Sequence, residues 1–347
     1  MENQNQIYDF RSDTVTKPTE AMLEEILKAK VGDDVYGDDE TVNQLEVMTA
    51  DKLGKEAALY VPSGTMGNLI AVMAHTSPGQ EVILEESCHI YLYEVGGIAR
   101  LAGVQAKTLK GVNGMMKVEE IEAAIRQENI HFPESGLICL ENTHNMSGGM
   151  VLPLEEMKKV YKLAQIKQIP LHIDGARIFN AANYLKVDVK EIAQYADSVM
   201  FCLSKGMSAP IGSMLVGTKE FIAKARKLRK MLGGGMRQVG IIAAAGIVAL
   251  RDHGGWLDLD HQNASTLAEG LNAIEGIKVD TEKVHTNILM ADVSATGIKV
   301  PELVEKMKEK GLLVNPRNES LIRFVTHRGV NSNDVEAAIK IVKEILA

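Results

Sequence analysis

Short apolar runs alternate with amphipathic helical segments through the middle of this chain. The apolar runs cover residues 57–61, 81–84, 137–140, 170–173, 198–203 and 212–216, and helical periodicity covers residues 65–75, 118–126, 154–168 and 189–195. Continuous apolar strands separated by helices are typical of a mostly parallel β-sheet with helices on both faces. We therefore predict an α/β fold, in which ligands bind at the carboxyl ends of the strands.

The pattern changes near Gly254 and Gly255. A helical segment at residues 260–274 is followed by apolar runs at 286–293, 311–315 and 321–326 and by a final helical segment. Chains of 347 residues commonly divide into more than one domain. We predict a large domain at residues 1–254, which includes the N-terminal arm, and a small C-terminal α+β domain at residues 255–347.

Charge and cysteine content exclude several classes of protein. The formal net charge of −8 at pH 7 disfavours binding to nucleic acid or to anionic membranes. Three irregularly spaced cysteines argue against a disulfide framework. No apolar stretch approaches the ~18 residues of a membrane span, and the N-terminus lacks a basic segment followed by an apolar one. We therefore expect a soluble, cytoplasmic protein.

Two chemically complementary residues follow neighbouring apolar runs. Lys205 follows the run that ends near residue 203, and Asp174 follows the run at 170–173. Partial desolvation at a strand end lowers the pKa of a lysine and lets its amine attack a carbonyl. An aspartate nearby can keep a pyridine nitrogen protonated. A lysine Schiff base paired with such an aspartate is how proteins hold pyridoxal 5′-phosphate (PLP), so the sequence predicts a PLP enzyme.

The segment at residues 62–68 (PSGTMGN) follows an apolar run and opens a helical segment. Free backbone N–H groups at a helix start, together with the hydroxyls of Ser63 and Thr65, can bind a phosphate. The alternative interpretation is an ordinary turn with an N-cap. Because a Schiff-base lysine is also predicted, we favour the phosphate site.

Three other charged or titratable residues are candidates for this site. His89 lies just beyond the run at 81–84, where its ring could stack on a pyridine, or it could be a structural histidine. Arg177 could bind a carboxylate or a phenolic oxygen, or form a surface ion pair. Arg323 lies within an apolar run and requires a partner, which could be a substrate carboxylate or a structural acid. Asp258, Asp260 and His261 indicate an acidic helix start, and we predict no metal site.

Six segments together make the chain resemble the low-specificity L-threonine aldolases. They are residues 11–16 (RSDTVT), 31–39 (VGDDVYGDD), 141–145 (ENTHN), 172–180 (HIDGARIFN), 203–206 (LSKG) and 233–238 (GGGMRQ). The resemblance covers nearly the whole chain. It implies the fold type I of PLP-dependent enzymes related to aspartate aminotransferase, and a homotetramer in which a dimer is the catalytic unit.

The resemblance also implies roles for individual residues. Lys205 would bind the cofactor covalently, Asp174 would contact its ring nitrogen, and His89 would stack on the ring. His131 matches a second active-site histidine. The cofactor would also be bound by Ser63, Gly64, Thr65, Arg177 and Ser204, and by Lys230 and Arg237 from a neighbouring subunit. The substrate would be bound by Ser12, Arg177 and Arg323, with Tyr93 in the pocket wall where related sequences often have phenylalanine.

The implied reaction is the cleavage of L-threonine or L-allo-threonine to glycine and acetaldehyde. The β-hydroxyl must lose a proton, and the candidate bases are His89, His131 and an ordered water. One alternative is a PLP-dependent β-eliminating lyase of the tyrosine or tryptophan type, although such enzymes are usually longer. A second is a PLP-binding regulatory protein without turnover. The presence of Lys205, Asp174 and Arg323 favours an enzyme.

Overall fold

The computed structural model describes residues 6–347. Within this range the strands are β1 (Tyr8–Asp9), β2 (Ala57–Val61), β3 (Glu81–Glu85), β4 (Gln105–Leu109), β5 (Ser135–Glu141), β6 (Leu171–Asp174), β7 (Ser198–Cys202), β8 (Ser213–Gly217), β9 (Lys278–Val279), β10 (Ile288–Asp292), β11 (Leu312–Leu313), β12 (Asn315–Pro316) and β13 (Leu321–Val325). The six apolar runs between residues 57 and 216 correspond to strands β2, β3 and β5 to β8.

The α-helices over the same range are α1 (Glu20–Lys28), α2 (Glu40–Leu53), α3 (Gly64–His75), α4 (His89–Leu92), α5 (Val118–Ala124), α6 (Leu154–Lys167), α7 (Ile178–Leu185), α8 (Val189–Ala193), α9 (Lys219–Met231), α10 (Gly240–Asp252), α11 (Gly254–Asn272), α12 (Val300–Glu309) and α13 (Ser332–Leu346). Short 3₁₀ turns lie at Asp13–Val15, Thr281–Lys283 and Ser294–Thr296, and a π-helical turn lies at Ile98–Ala102. No helix among residues 6–347 is both long and apolar enough to span a membrane.

The described chain divides into two compact units. The large unit comprises residues 18–147 and 151–252, and the small unit comprises residues 6–17, 148–150 and 253–347. The N-terminal arm, which the sequence analysis grouped with the large domain, therefore belongs to the small unit. The physical reason is backbone pairing, because β1 forms a parallel pair with β11 in which Tyr8 is opposite Leu312.

A seven-stranded sheet forms the centre of the large unit, in the order β2-β8-β7-β6-β5-β3-β4. The pairs from β7 to β4 are parallel, whereas β8 runs antiparallel to both β7 and β2. Strands β3 and β5 to β8 are almost entirely buried. This arrangement confirms the predicted α/β fold with a mostly parallel central sheet.

Helix α3 packs on this sheet, and its composition explains how closely it does so. A Cβ atom at Gly67 would lie 2.7 Å from Cγ of Met200, and one at Gly64 would lie 3.0 Å from Sγ of Cys202. Both contacts are with residues of β7. The two glycines therefore let the start of α3 lie directly against the end of β7, which is the strand that leads to Lys205.

The small unit contains a four-stranded antiparallel sheet in the order β12-β13-β10-β9. Its apolar side packs with α11, α12 and α13 around a core that includes Phe10, Leu267, Val300 and Phe324. Phe10 also accepts a backbone hydrogen bond from Val325 through its carbonyl oxygen, at 2.9 Å. The N-terminal arm is therefore anchored to this unit by both apolar contacts and backbone pairing.

Candidate active site

Asp174 and Lys205 lie at the carboxyl edge of the large unit's sheet. Asp174 is the last residue of β6 and pairs in register with Met200 of the adjacent parallel strand β7. Lys205 follows the end of β7 at Cys202 and is half-buried. The charges of both residues influence the ionisation of His89. Three of the four residues predicted to be catalytic, Lys205, Asp174 and His89, therefore lie near one another.

The backbone of His89 is held by a buried carboxylate. His89 begins α4 at the carboxyl end of β3, and its N–H donates to Oε2 of Glu141 at 2.5 Å. The other oxygen of Glu141 accepts from the N–H of Asn145 at 2.7 Å. Glu141 ends β5, so this carboxylate connects the ends of two neighbouring strands. Burial raises the pKa of Glu141 despite the opposing charge of His144.

The ring of His89 forms an ion pair with Glu94. Nδ1 of His89 lies 3.0 Å from Oε1 of Glu94, and Oε2 of Glu94 is buried without a partner among the described residues. Burial raises the pKa of Glu94. Burial alone would lower the pKa of His89, but the hydrogen bond to Glu94 and the charge of Asp174 raise it. The pair therefore retains a shared proton to higher pH than a solvent-exposed histidine would.

Asn68 of α3 connects this pair to Asp174. Its Nδ2 donates to Oε1 of Glu94 at 2.9 Å and to Oδ2 of Asp174 at 2.8 Å. The other oxygen of Asp174 accepts from the N–H of Ala176 at 3.1 Å. Donors of this kind stabilise a buried carboxylate in its charged form. One ligand atom from each of His89, Glu94 and Asp174 falls within 4.8 Å of the others, and the Asn68 amide bonds two of these residues.

The start of α3 lies next to this group of side chains. Ser63 is the N-cap of the helix, and its Oγ accepts from the N–H of Met66 at 3.2 Å. The N-cap alternative considered from sequence is therefore present in the structure. It leaves the hydroxyl proton of Ser63 and the first N–H groups of the helix available to an anion. The side chains of Ser63 and Thr65 are exposed.

The remaining predicted site residues of the large unit lie on segments around this edge. Arg177 is 6% exposed at the start of α7, three residues after Asp174. Ser204 precedes Lys205, and its N–H donates to the carbonyl of Gly212 at 3.3 Å. Tyr93 lies beside His89, with ring centroids 5.6 Å apart, and its hydroxyl donates to Sδ of Met146 at 3.2 Å.

Two basic residues predicted to reach a neighbouring subunit lie on the surface of the large unit. Lys230 is exposed near the end of α9. Nη1 of Arg237 lies 2.8 Å from Oδ2 of Asp33, and the carbonyl of Arg237 accepts from the N–H of Asp34 at 3.0 Å. Residues 31–39 and 233–238, two of the segments that make the chain resemble the aldolase family, therefore contact each other through an ion pair and a backbone hydrogen bond.

Ser12 and Arg323 belong to the small unit. The Oγ of Ser12 accepts hydrogen bonds from the N–H and the hydroxyl of Thr14. Arg323 lies in the middle of β13, opposite Met290 of β10, and is 8% exposed. Its Nη2 donates to the carbonyl of Arg11 at 3.1 Å. The arginine thus contacts the arm that contains Ser12.

His131 lies apart from the other predicted catalytic residues of the large unit. It is exposed on the loop that precedes β5, near Phe132, and its N–H donates to Oδ1 of Asn129 at 2.9 Å. Residues of this loop and of the segment before β6 line a cavity of about 790 Å³ at the amino edge of the sheet. Asp174 is at the carboxyl edge, and the seven residues of β5 separate the two edges by roughly 20 Å.

Sequence reasoning missed Asn68, Glu94, Glu141 and His172. Asn68 and His172 are each a polar residue within an otherwise apolar run, which was a usable signal because a buried polar group needs a partner. Glu141 lies within a segment that contributed to the resemblance, but no role was assigned to it. Glu94, between Tyr93 and Val95, gave no local signal.

Comparison with known proteins identifies relatives along almost the whole chain. The model of the β-eliminating lyase family matches residues 9–296. The chain is 47% identical over 343 residues to low-specificity L-threonine aldolase 1 of Arabidopsis thaliana, an alignment that covers 97% of this chain and 96% of that protein. It is 44% identical over 324 residues to the low specificity L-threonine aldolase of Escherichia coli, with coverage of 93% and 94%.

A solved structure shows the same fold. The structure of Leishmania major threonine aldolase matches with a TM-score of 0.84 at 20% sequence identity, over 98% of this chain and 100% of that chain. At that identity the likeness concerns the fold. The Arabidopsis and Escherichia coli proteins establish the closer relationship.

Proposed function

Because the chain belongs to the β-eliminating lyase family, as one of its low-specificity L-threonine aldolases, we propose that it cleaves L-threonine and L-allo-threonine to glycine and acetaldehyde with PLP. The observation that supports this proposal most directly is the convergence of Lys205, Asp174 and His89 at one sheet edge. An amine, a buried carboxylate and an imidazole are the groups that this cofactor requires for attachment, ring protonation and stacking.

The residues present fit the cofactor. Lys205 would supply the covalent attachment, Asp174 would contact the ring nitrogen, and His89 would lie on the ring. The start of α3, with Ser63, Gly64 and Thr65, would bind the phosphate, since free N–H groups and the positive end of the helix dipole favour an anion. We assign Arg177 and Ser204 to the same cofactor site. The close contact that Gly64 permits with Cys202 brings this helix start toward Lys205.

When bound, PLP withdraws electrons from the α-carbon of an amino acid, so that a bond to that carbon can break. The protein residues determine which bond breaks. Asp174 would keep the ring nitrogen protonated, and the Asn68 amide and Ala176 N–H stabilise its negative charge. Ser12, Arg177 and Arg323 would bind the substrate carboxylate and thereby orient the Cα–Cβ bond for cleavage.

The β-hydroxyl proton must be removed for an aldehyde to leave, and His89, His131 and an ordered water remain the candidates. Because its partner Glu94 raises the pKa of His89, this ring keeps its proton to higher pH than usual. A protonated ring can stack on the cofactor and donate a hydrogen bond, but it is a poor general base. His131 is exposed at the opposite edge of the sheet. A role for His131 would therefore require a second copy of the chain, in agreement with the implied homotetramer.

We further propose that a dimer is the catalytic unit, that Lys230 and Arg237 reach the partner's cofactor phosphate, and that the protein is cytoplasmic. The exposed Lys230 and the surface pair of Arg237 with Asp33 support an intersubunit role. The three cysteines are buried free thiols, which supports a reducing compartment.

The test is to incubate purified protein and PLP with L-threonine or L-allo-threonine and to measure acetaldehyde and glycine. Lys205→Ala should lose the visible absorption band of the bound cofactor and lower kcat by roughly a thousandfold or more, as expected when a covalent catalyst is removed. The exposed Lys190→Ala variant is the matched control and should retain both. Pyruvate and ammonia released from an aromatic amino acid would instead identify a β-eliminating lyase.

A further inference from the structure

A chain of polar side chains extends from Asp174 across the interface between α3 and the sheet. Oδ1 of Asn68 lies 3.1 Å from Nε2 of His172, and Nδ1 of His172 lies 2.9 Å from Oγ of Ser198. The same hydroxyl lies 2.8 Å from Nε2 of His75. We call Asn68, His172, Ser198 and His75 the polar relay. Asn68, His172 and Ser198 are fully buried.

The relay follows from the periodicity of the elements that form it. His172 and Asp174 are two residues apart on β6 and therefore lie on the same face of the sheet. Ser198 is opposite His172 in the register of β6 with β7. Asn68 and His75 are seven residues apart on α3, which places both on the same face of the helix. Helix α3 thus packs on the sheet through matched polar groups as well as through apolar ones.

The two carboxylates, together with the neutrality of the two rings, determine the direction of each hydrogen bond in the relay. Glu94 and Asp174 both receive the Nδ2 group of Asn68, so its Oδ1 must face His172. His172 therefore donates through Nε2 and accepts from the Ser198 hydroxyl through Nδ1. Ser198 has a single proton, so it must accept from Nε2 of His75. Each histidine is thereby held as the neutral ring protonated at Nε2.

Burial keeps both histidines neutral. It lowers the pKa of His172 to about 3 and that of His75 to about 4. Because the His172 ring is neutral and its proton is on Nε2, its Nδ1 has no proton to donate and accepts from the Ser198 hydroxyl.

We propose that Asn68 is a positioning residue that holds Asp174 and the His89–Glu94 pair as one hydrogen-bonded unit, with its amide kept in one orientation by the His172–Ser198–His75 part of the polar relay. Asn68 does not react itself. It supplies both donors of its amide to the two carboxylates and thereby determines where the ring-nitrogen partner and the stacking histidine lie relative to each other. The effect of Asn68 on the cofactor site rests on the proposed function, whereas the orientation of its amide and the tautomers of the two histidines do not.

The structural content can be tested without cofactor. In apoprotein labelled with ¹⁵N-histidine, His172 and His75 should each show one neutral tautomer, protonated at Nε2. Asn68→Leu removes the acceptor of His172 with little change in volume, so His172 should become a mixture of tautomers. Asn263→Leu is the matched control, because Asn263 is also buried, at 4% exposure, and its Nδ2 donates to the carbonyl of Val330 in the small unit.

A milder pair of variants tests the same relay if Asn68→Leu folds poorly. Ser198→Ala removes the acceptor of His75 and should make that ring a mixture of tautomers. Ser213→Ala removes a buried hydroxyl that has no hydrogen-bond partner among residues 6–347, and should leave both rings unchanged. The relay would be refuted by mixed tautomers in the unmodified apoprotein, or by a single His75 tautomer that survives Ser198→Ala.

The effect on the site is measured by cofactor affinity. Asn68→Leu should weaken the binding of PLP roughly tenfold to a hundredfold, because two hydrogen bonds to charged acceptors are lost. Asn263→Leu should change it less than twofold. Equal losses in the two variants would reduce Asn68 to a packing residue. Failure of the unmodified protein to cleave threonine, with the tautomers as expected, would instead contradict the proposed function and leave the relay intact.

Discussion

Carboxylate side chains lie at both edges of the large unit's sheet, but Asp174 and Glu94 are buried, whereas Glu134 is exposed. At the carboxyl edge, Asp174, Glu94 and His89 are bonded to one another directly or through a single amide. At the amino edge, Glu134 accepts from the side chain of Gln80 at 2.9 Å, and both side chains are exposed to solvent or partly so.

The difference indicates where a change of charge should matter. A buried polar group that loses its partner cannot exchange that partner for water, so the full cost of desolvation appears. An exposed pair is replaced by water at little cost. A buried, hydrogen-bonded group such as Asp174 should therefore be sensitive to isosteric substitution, whereas the exposed Glu134–Gln80 pair should tolerate it. Substitutions of buried or half-buried residues should therefore have larger effects than equivalent substitutions at exposed positions.

The largest effect is expected for the carboxylates. Asp174→Asn removes the negative charge that would keep the ring nitrogen protonated, and should lower kcat on the order of a hundredfold to a thousandfold, as for the loss of other preorganised electrostatic groups. Glu134→Gln makes the equivalent change at the amino edge and should leave kcat within about twofold. Steady-state kinetics on L-allo-threonine measures both, and similar losses would refute the contrast.

The histidines should show a smaller difference. His89→Asn removes the ring that is proposed to stack on the cofactor and leaves Glu94 without its ion-pair partner, so kcat should fall by about a hundredfold. His131→Asn should cost about tenfold or less, because the exposed ring lies far from Asp174 within one chain. The comparison requires kcat and KM for each variant. A loss for His131→Asn as large as that for His89→Asn would indicate that a second copy places His131 in the active site.

The smallest effect concerns stability in acid. His172 and His75 have pKa values of about 3 and about 4 in the folded protein, against about 6.5 when unfolded. The unfolded chain binds more protons between those limits, so the stability that the neutral rings contribute is complete above about pH 6.5 and is lost as pH falls, by about 1.4 kcal/mol per group and pH unit. His89, whose pKa is raised, contributes in the opposite direction and only above that pH.

Urea unfolding between pH 5 and 7 measures this dependence. His75→Gln and His172→Gln should each reduce the slope of the free energy of unfolding against pH, by the amount that corresponds to the uptake of about one proton on unfolding. A slope in both variants equal to that of the unmodified protein would show that the buried rings take up protons without unfolding.

Most strands of the sheet could be predicted from sequence, and the exceptions have physical causes. Strand β4 was not predicted, because it is an edge strand whose first two residues are exposed and whose other three are half-buried, so it contains no apolar run. Helix α10 was not predicted either, because it is apolar on all sides and shows no helical period. The antiparallel direction of β8 depends on pairing with β2 and β7, which local sequence does not specify.

The sequence by itself determined the identities of the predicted catalytic residues Lys205 and Asp174 and their positions at strand ends. Lys205 and Asp174 each follow an apolar run, and parallel strands place such positions at one edge, so local pattern and topology were sufficient. The family was likewise correctly identified from its motifs. These features depend on residues that are close in sequence or on the fold class as a whole.

Only the tertiary structure decided which side chains contact the predicted catalytic residues. Asn68 meets Asp174 from 106 positions away, and Ser198 meets His75 from 123 positions away, because α3 packs over β6 and β7. The assignment of the N-terminal arm to the small unit likewise arose from the pairing of β1 with β11. Hydrogen bonds are directional and short in range, so their partners are determined only when helices and strands are packed to within a fraction of an ångström.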